Sequence, residues 1–335
     1  MRRSTLGKLG LAFASTLVFF ATAEIGLRLA GYGGLEVYEP DAELFWRLRP
    51  GQVCRTKIGG HPVHVNDHGF RGVPIAARDD RVRRVIVFGD SATYGWGVGD
   101  EETYASRLGA KLTESGVPAE VVNAGVNAYA LFQEEIAFRR ALETVEPDAA
   151  VFAFSFNESW QNLQWLDDAG RRRVLRGVQW KNWLRKSAIF HFVGEIQLRF
   201  LYDRLRGELT SDLHGGRVRT DDERIGRYRE TMARIETGAR AANVAIAFLV
   251  LPTRGRDGPD AYQQAMLDFA RERGIPALDL TRLQGQDMTP DEWFLPRDTV
   301  HPSAAGHADV ARRLEPLVRA LLERPVPGAQ HVSAW

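Results

Sequence analysis

The sequence predicts an α/β protein of three layers, with helices covering both faces of a five-stranded parallel sheet. Two observations predict it. From residue 82 onward, short apolar runs alternate with stretches whose apolar residues recur at helical spacing. One of those runs, Ala149 to Phe154, is apolar throughout, as a strand buried on both faces must be. Right-handed crossovers then place every strand's carboxyl end on one edge of the sheet.

The first thirty residues stand apart from that pattern. Arg2, Arg3 and Lys8 precede an apolar stretch from Leu9 to Ala23, the charge order of an exported amino terminus. Two readings compete. Ala21-Thr22-Ala23 reads as a signal-peptidase site that would leave a secreted or periplasmic protein. Alternatively the helix continues through Ile25, Leu27 and Leu29 as an uncleaved anchor, giving the ~20 residues a bilayer span needs. Glu24 and Arg28, four apart, would then pair near the outer interface. The anchor, taken as residues 1–32, is the expectation carried forward: a single pass through the bacterial inner membrane. Under either reading the rest of the chain is extracytoplasmic.

Residues 33–80 are rich in Gly, Pro and His and read as an extended arm. Val53 to Ile58 and Pro62 to Asn66 form a candidate hairpin around Gly59-Gly60. His61, His64 and His68 cluster here, but strand alternation puts His61 opposite His64, and no cysteine or carboxylate group joins them. No metal site is expected.

The main domain is expected over 81–325. Val82 to Phe88 is the first strand, and it breaks into Gly89-Asp90-Ser91. Tyr104 to Glu114 is a helix, Glu120 to Asn123 the second strand, and Tyr129 to Thr144 a helix stopped near Pro147. The third strand is Ala149 to Phe154. Arg224 to Ala242 is a helix, Val244 to Leu251 the fourth strand, Ala261 to Arg273 a helix, and Pro276 to Leu280 the fifth strand. The last helix runs from Ser303, a plausible N-cap, to Leu322. An insertion over 158–220 interrupts the rhythm. It carries Trp160, Trp165, Trp180 and Trp183 and more basic than acidic residues. Such an insertion reads as a lid or binding surface, or as a helical subdomain with tryptophans in its core.

Bulk numbers exclude some classes. Lys and Arg total 44 against 43 Asp and Glu, so the chain has no global nucleic-acid signature. The single cysteine, Cys54, allows no internal disulfide. Gly95, Gly97 and Gly99 fit neither phosphate-loop pattern. No cofactor is expected, and the sequence carries no signal of oligomeric state.

The chemistry gathers at strand ends. Ser91 follows the first strand, where open α/β sheets place ligands. Serine needs a base, which His301 can supply, and Asp298, three residues earlier, can orient the imidazole. Asn123-Ala124-Gly125-Val126-Asn127 follows the second strand and Ser155-Phe156-Asn157 the third, offering donors for an oxyanion. Asp90 reads as a loop brace, His307 as a packing residue, and Tyr94 and Trp96 as candidate pocket walls.

Four blocks in this order resemble the SGNH/GDSL hydrolase family: Phe88–Tyr94, Asn123–Asn127, Ser155–Glu158 and Asp298–His307. The segment Asn66 to Arg71, following a membrane helix, is similar to membrane-anchored bacterial members. The resemblance implies a flavodoxin-like sheet, Ser91 as nucleophile, His301 as base and Asp298 as its orienting acid. It implies an oxyanion hole of Ser91 N–H, Gly125 N–H and the Asn157 side chain. Two departures are Ala92, where leucine is usual, and SFNE in the asparagine block. The expected activity is an esterase working through an acyl-enzyme on an O-acyl group of an extracytoplasmic carbohydrate or lipid. The alternatives are an O-acyltransferase to a polysaccharide hydroxyl and a catalytically silent carbohydrate-binding module.

Overall fold

The computed structural model describes residues 2–155, 158–205, 221–282 and 288–323. After a long helix α1 (Arg2–Leu29) come four short strands, β1 (Tyr38–Asp41), β2 (Phe45–Leu48), β3 (Val53–Arg55) and β4 (Pro62–His64). The alternating body follows: β5 (Arg83–Gly89), α2 (Ser91–Tyr94), α3 (Tyr104–Glu114), β6 (Ala119–Gly125), α4 (Leu131–Thr144) and β7 (Ala149–Phe154). Then come α5 (Asp168–Arg185), α6 (Ala188–Leu205), α7 (Asp221–Ala241), β8 (Ala245–Val250), α8 (Ala261–Arg273), β9 (Ala277–Asp279), α9 (Pro290–Trp293) and α10 (Ala304–Glu323).

The sheet order is β6-β5-β7-β8-β9, and every pair is parallel. Numbered within the sheet this is 2-1-3-4-5, the flavodoxin-like order, with its switch point between β5 and β7. Ser91 leaves the strand that carries the switch.

Alternation along the strands sorts large from small side chains. Phe88, Phe152, Phe154 and Phe248 face α4, α7 and α8, where Phe138 packs on Phe88 and Phe152, Tyr228 on Phe154 and Phe269 on Phe248. Val85, Ala149, Val151, Ala153 and Ala247 face the other way, toward α3 and α10. Small residues let those two helices lie close to the sheet. That closeness matters for the site, because α10 begins just beyond His301.

Residues 33–80 fold onto the body rather than extending from it. Two antiparallel hairpins, β1–β2 and β3–β4, share one apolar cluster with Tyr94, Val126, Tyr129 and Leu163. The β3–β4 hairpin was expected. The β1–β2 hairpin was not, since Pro40 obscures its alternation and its turn holds Phe45 at φ 66°.

The insertion helices do not stand apart either. Helix α5 lies on β1 and β2, with Val174 and Val178 against the same cluster and Arg171 over the Phe45 ring. Asn182 donates to the Tyr38 carbonyl and accepts from its N–H. Trp180 and Trp183 are exposed and stacked on each other, so these two are not core.

Candidate active site

Strand β5 ends at Gly89, and the chain turns immediately into α2. A side chain at Gly89 would put its Cβ 2.0 Å from Thr93 Oγ1 and 3.0 Å from the Ala153 carbonyl. Glycine is therefore required for α2 to fold back across the strand end. Asp90 caps α2 by accepting the Ala92 N–H at 2.8 Å, and its other oxygen accepts the Ser155 hydroxyl. It is 4 % exposed and braces the ends of β5 and β7 together.

Ser91 Oγ lies 2.8 Å from His301 Nε2, and His301 Nδ1 lies 2.7 Å from Asp298 Oδ2. These residues come from opposite ends of the domain, 210 positions apart. Asp298 Oδ1 accepts the N–H groups of Val300 (2.8 Å) and His301 (3.0 Å). With both oxygens engaged, the carboxylate cannot rotate, and it holds the proton of His301 on Nδ1. Nε2 is left as the acceptor facing Ser91. The loop is fixed from outside by Arg254, whose N–H donates to the Thr299 carbonyl at 2.7 Å and whose guanidinium lies over Phe294.

Burial alone would raise Asp298, but the His301 charge and the hydrogen bonds from His301 and Val300 outweigh it. They hold the carboxyl down at about 2. Burial alone would lower His301, but the Asp298 charge and hydrogen bond prevail and raise it above its ordinary 6.5. The pair thus stays an ionised acid beside a strengthened base.

The loop after β6 departs from expectation at one donor. Gly125 N–H donates to Asn123 Oδ1 at 3.0 Å, so it is already committed. Its glycine has a packing reason instead: a Cβ there would lie 2.3 Å from the Tyr94 nitrogen. Three positions on, Ala128 holds φ 63°, a left-handed conformation that alanine adopts only when its surroundings impose it. The Asn127 and Ala128 N–H groups have no acceptor among the described residues, and neither does Ser91 N–H. Asn123 also donates to the Thr93 carbonyl at 3.0 Å, tying β6 to α2. Asn157 lies outside the described residues.

Other expectations meet definite positions. His307 is fully buried against Tyr104, accepts its N–H at 3.1 Å, and is lowered by burial to about 3, so it packs. Trp96 stacks on His301 with ring centroids 5.7 Å apart and walls the site. Tyr94 does not: it is 1 % exposed and points into the hairpin cluster. His64 pairs with Asp100 at 2.8 Å. Among the described residues no group of three or more His, Cys, Asp or Glu is placed to hold a metal.

Arg71 is the residue that spacing did not assign. It is 3 % exposed and donates to Asp100 and to the carbonyls of Tyr94, Gly95 and Val98 at 2.7–2.8 Å. It thereby shapes the loop that carries Trp96. The signal the sequence holds for it is its place at the end of the Asn66 to Arg71 segment, which says nothing of these partners.

Comparison with known proteins identifies the family. Residues 87–308 match the family model described as the GDSL-like lipase/acylhydrolase family. No curated protein sequence matches the chain. Among solved structures, an acetylxylan esterase from Geobacillus stearothermophilus (a catalytic mutant) is 14 % identical, with 69 % of this chain and 92 % of that one covered at a TM-score of 0.42. The lipase/acylhydrolase of Enterococcus faecalis is 14 % identical, with 71 % and 96 % covered at 0.43. A two-domain esterase active on acetylated mannans is 17 % identical, with 73 % and 51 % covered at 0.42. The match spans the strand before Ser91 through the helix after His301, and the chain belongs to the GDSL-like lipase/acylhydrolase family, the SGNH/GDSL hydrolases.

Proposed function

We propose that the protein is a serine esterase in which Ser91 is the nucleophile, His301 the base and Asp298 the acid that orients it. The observation that carries this reading is the unbroken chain Ser91 Oγ, His301, Asp298 at 2.8 and 2.7 Å. Ser91 Oγ forms a bond to the acyl carbon while its proton passes to His301 Nε2. The tetrahedral oxyanion is held by Ser91 N–H and by an uncommitted N–H of the 127–128 loop, with the Asn157 amide as the third donor. The C–O bond to the alcohol breaks, and the alcohol leaves with the proton from His301. Water, deprotonated by His301, then releases the carboxylic acid and restores Ser91.

The substrate we infer is an O-acyl ester on an extracytoplasmic carbohydrate or lipid, and α1 is read as an uncleaved anchor. Helix α1 holds an apolar segment Gly7–Leu29 long enough to cross a bilayer. Its last turns are built into the body: Glu24 accepts the N–H groups of Ala188 and Ile189 and the Ser187 hydroxyl at 2.8–3.1 Å. Cleavage after Ala23 would leave Glu24 as a terminal residue at that joint.

The test is hydrolysis of p-nitrophenyl acetate by the full-length protein in detergent beside Ser91→Ala. Serine-dependent release supports the esterase, and release equal in both proteins contradicts it. An added oligosaccharide that speeds release and becomes acylated would favour transfer over hydrolysis.

A further inference from the structure

Three parts of the chain meet at the outer end of α1. Arg28 pairs with Glu24 at 2.7 Å and donates to the Lys186 carbonyl at 2.7 Å. Gly33 N–H donates to His191 Nδ1 at 3.0 Å, and His191 Nε2 in turn reaches the Lys57 carbonyl at 3.2 Å. Tyr32 packs edge-on against His191 and Phe192. The anchor helix, the hairpin segment and α6 are therefore one joint.

A cavity of about 450 Å³ opens in that joint. Its lining includes Arg28, Arg49, Arg185, Lys186, Gln52 and Val53, and no carboxylate. Arg28 and Arg185 have acid partners, Glu24 and the buried Glu36, while Arg49 is 3.9 Å from Glu39. Lys186 forms no ion pair among the described residues. Lys57 nearby is lowered by burial and by the Arg185 charge, as expected where cations outnumber their counter-ions. Val53 in the cavity lining is 70 % exposed, and on α5, whose end supplies Arg185 and Lys186, Trp180 and Trp183 are 61 % and 64 % exposed and stacked with centroids 5.2 Å apart. Trp183 precedes Lys186 by about one helical turn.

Depth decides what this surface meets. The 23 residues Gly7–Leu29 span ~35 Å as a helix, slightly more than the ~30 Å hydrocarbon core. Arg28 therefore lies at the level of the outer headgroups, and the cavity it lines lies there too. Stacked, exposed tryptophans beside basic residues suit that boundary.

We propose that this cavity binds the phosphate of an anionic phospholipid from the outer leaflet of the bilayer that holds α1, with Trp180 and Trp183 seated among its headgroups. The proposal rests on the anchor reading above. It makes the insertion a membrane-facing element that fixes the height and tilt of the sheet's catalytic edge over the bilayer.

The test uses the full-length protein in neutral detergent. Thermal unfolding is followed while phosphatidylglycerol, phosphatidylcholine or inorganic phosphate is added. Phosphatidylglycerol should bind several-fold more tightly than phosphatidylcholine. Lys186→Glu should cut that preference at least about fivefold, the worth of one cation at an anionic surface, and Lys186→Arg should keep it. Equal response to both lipids overturns the proposal. Inorganic phosphate matching phosphatidylglycerol overturns it in favour of a free-anion site. Carbonate extraction of membranes separates the two readings. Protein that stays in the pellet yet shows no lipid preference overturns the headgroup site and leaves the anchor standing. Protein released from the pellet overturns both.

Discussion

Two carboxylates organise this molecule, and they do so differently. Asp298 sits in the site, 5 % exposed, and accepts from residues two and three positions along the chain. Glu24 sits near the end of α1 and accepts from residues 163 to 165 positions away. The first is a local turn delivered to Ser91 by the sheet. The second caps a helix from a separate part of the chain, so its meaning exists only in the fold. The Ser91 site lies on the most regular part of the molecule, and the contact of α1 with the body on the least regular.

The largest effect should come from the site itself. Ser91→Ala should reduce esterase turnover by about 10³-fold or more, and His301→Ala by a similar factor, without adding to it in the double variant, because the two act as one unit. Independent, multiplying losses would break the picture of a joined pair.

Asp298→Asn comes next, at about 10²- to 10⁴-fold in kcat/KM. It also tests the electrostatics. His301 must be neutral to accept a proton, and its pKa is raised, so kcat/KM should rise with pH to a plateau through a midpoint above 6.5. Removing the Asp298 charge leaves burial opposed only by the more weakly acting Asp90 charge, and the midpoint should move down. A midpoint that stays put would deny the pairing.

Arg71→Ala should destabilise the fold by about 3 kcal/mol, since it removes one of the partners of Asp100 and a buried donor to three carbonyls. Arg71→Lys should recover only part of this, because an ammonium cannot reach four acceptors as a planar fork does. Chemical denaturation measures both.

Glu24→Ala should have the smallest effect, about 1 kcal/mol, the value of a helix cap. Hydrogen exchange should quicken at residues 187–192 and stay unchanged around Ser91 and His301. Exchange that quickens at both places would mean the joint and the site are coupled, which would sharpen the comparison into a mechanism.

The same contrast explains what was legible in advance. Helices Tyr104–Glu114 and Ala261–Arg273 and strand Ala149–Phe154 agree with expectation to the residue, because periodicity and nearby turn residues are local signals. All five strands are parallel, so their carboxyl ends share one edge, and there Ser91 meets His301. The β1–β2 hairpin was hidden by Pro40 and by a left-handed Phe45 that no pattern announces. Gly125 was expected as a donor because its type and position suit one. That a side chain two residues earlier takes its N–H is a fact of three dimensions. The Glu24–Arg28 pair was legible from its spacing of four, but the bonds of Glu24 to α6 and of Arg71 to the Trp96 loop were not, because most of those partners are carbonyls and amides, which every residue carries.

The central claim is that Ser91 carries the acyl group. The direct measurement is peptide mass mapping after rapid acid quench of the full-length protein mixed with p-nitrophenyl acetate. The account predicts one acetyl group on the peptide that contains Ser91, formed with a burst of p-nitrophenol and absent from Ser91→Ala. An adduct on another residue, or a burst that survives in Ser91→Ala, would contradict it.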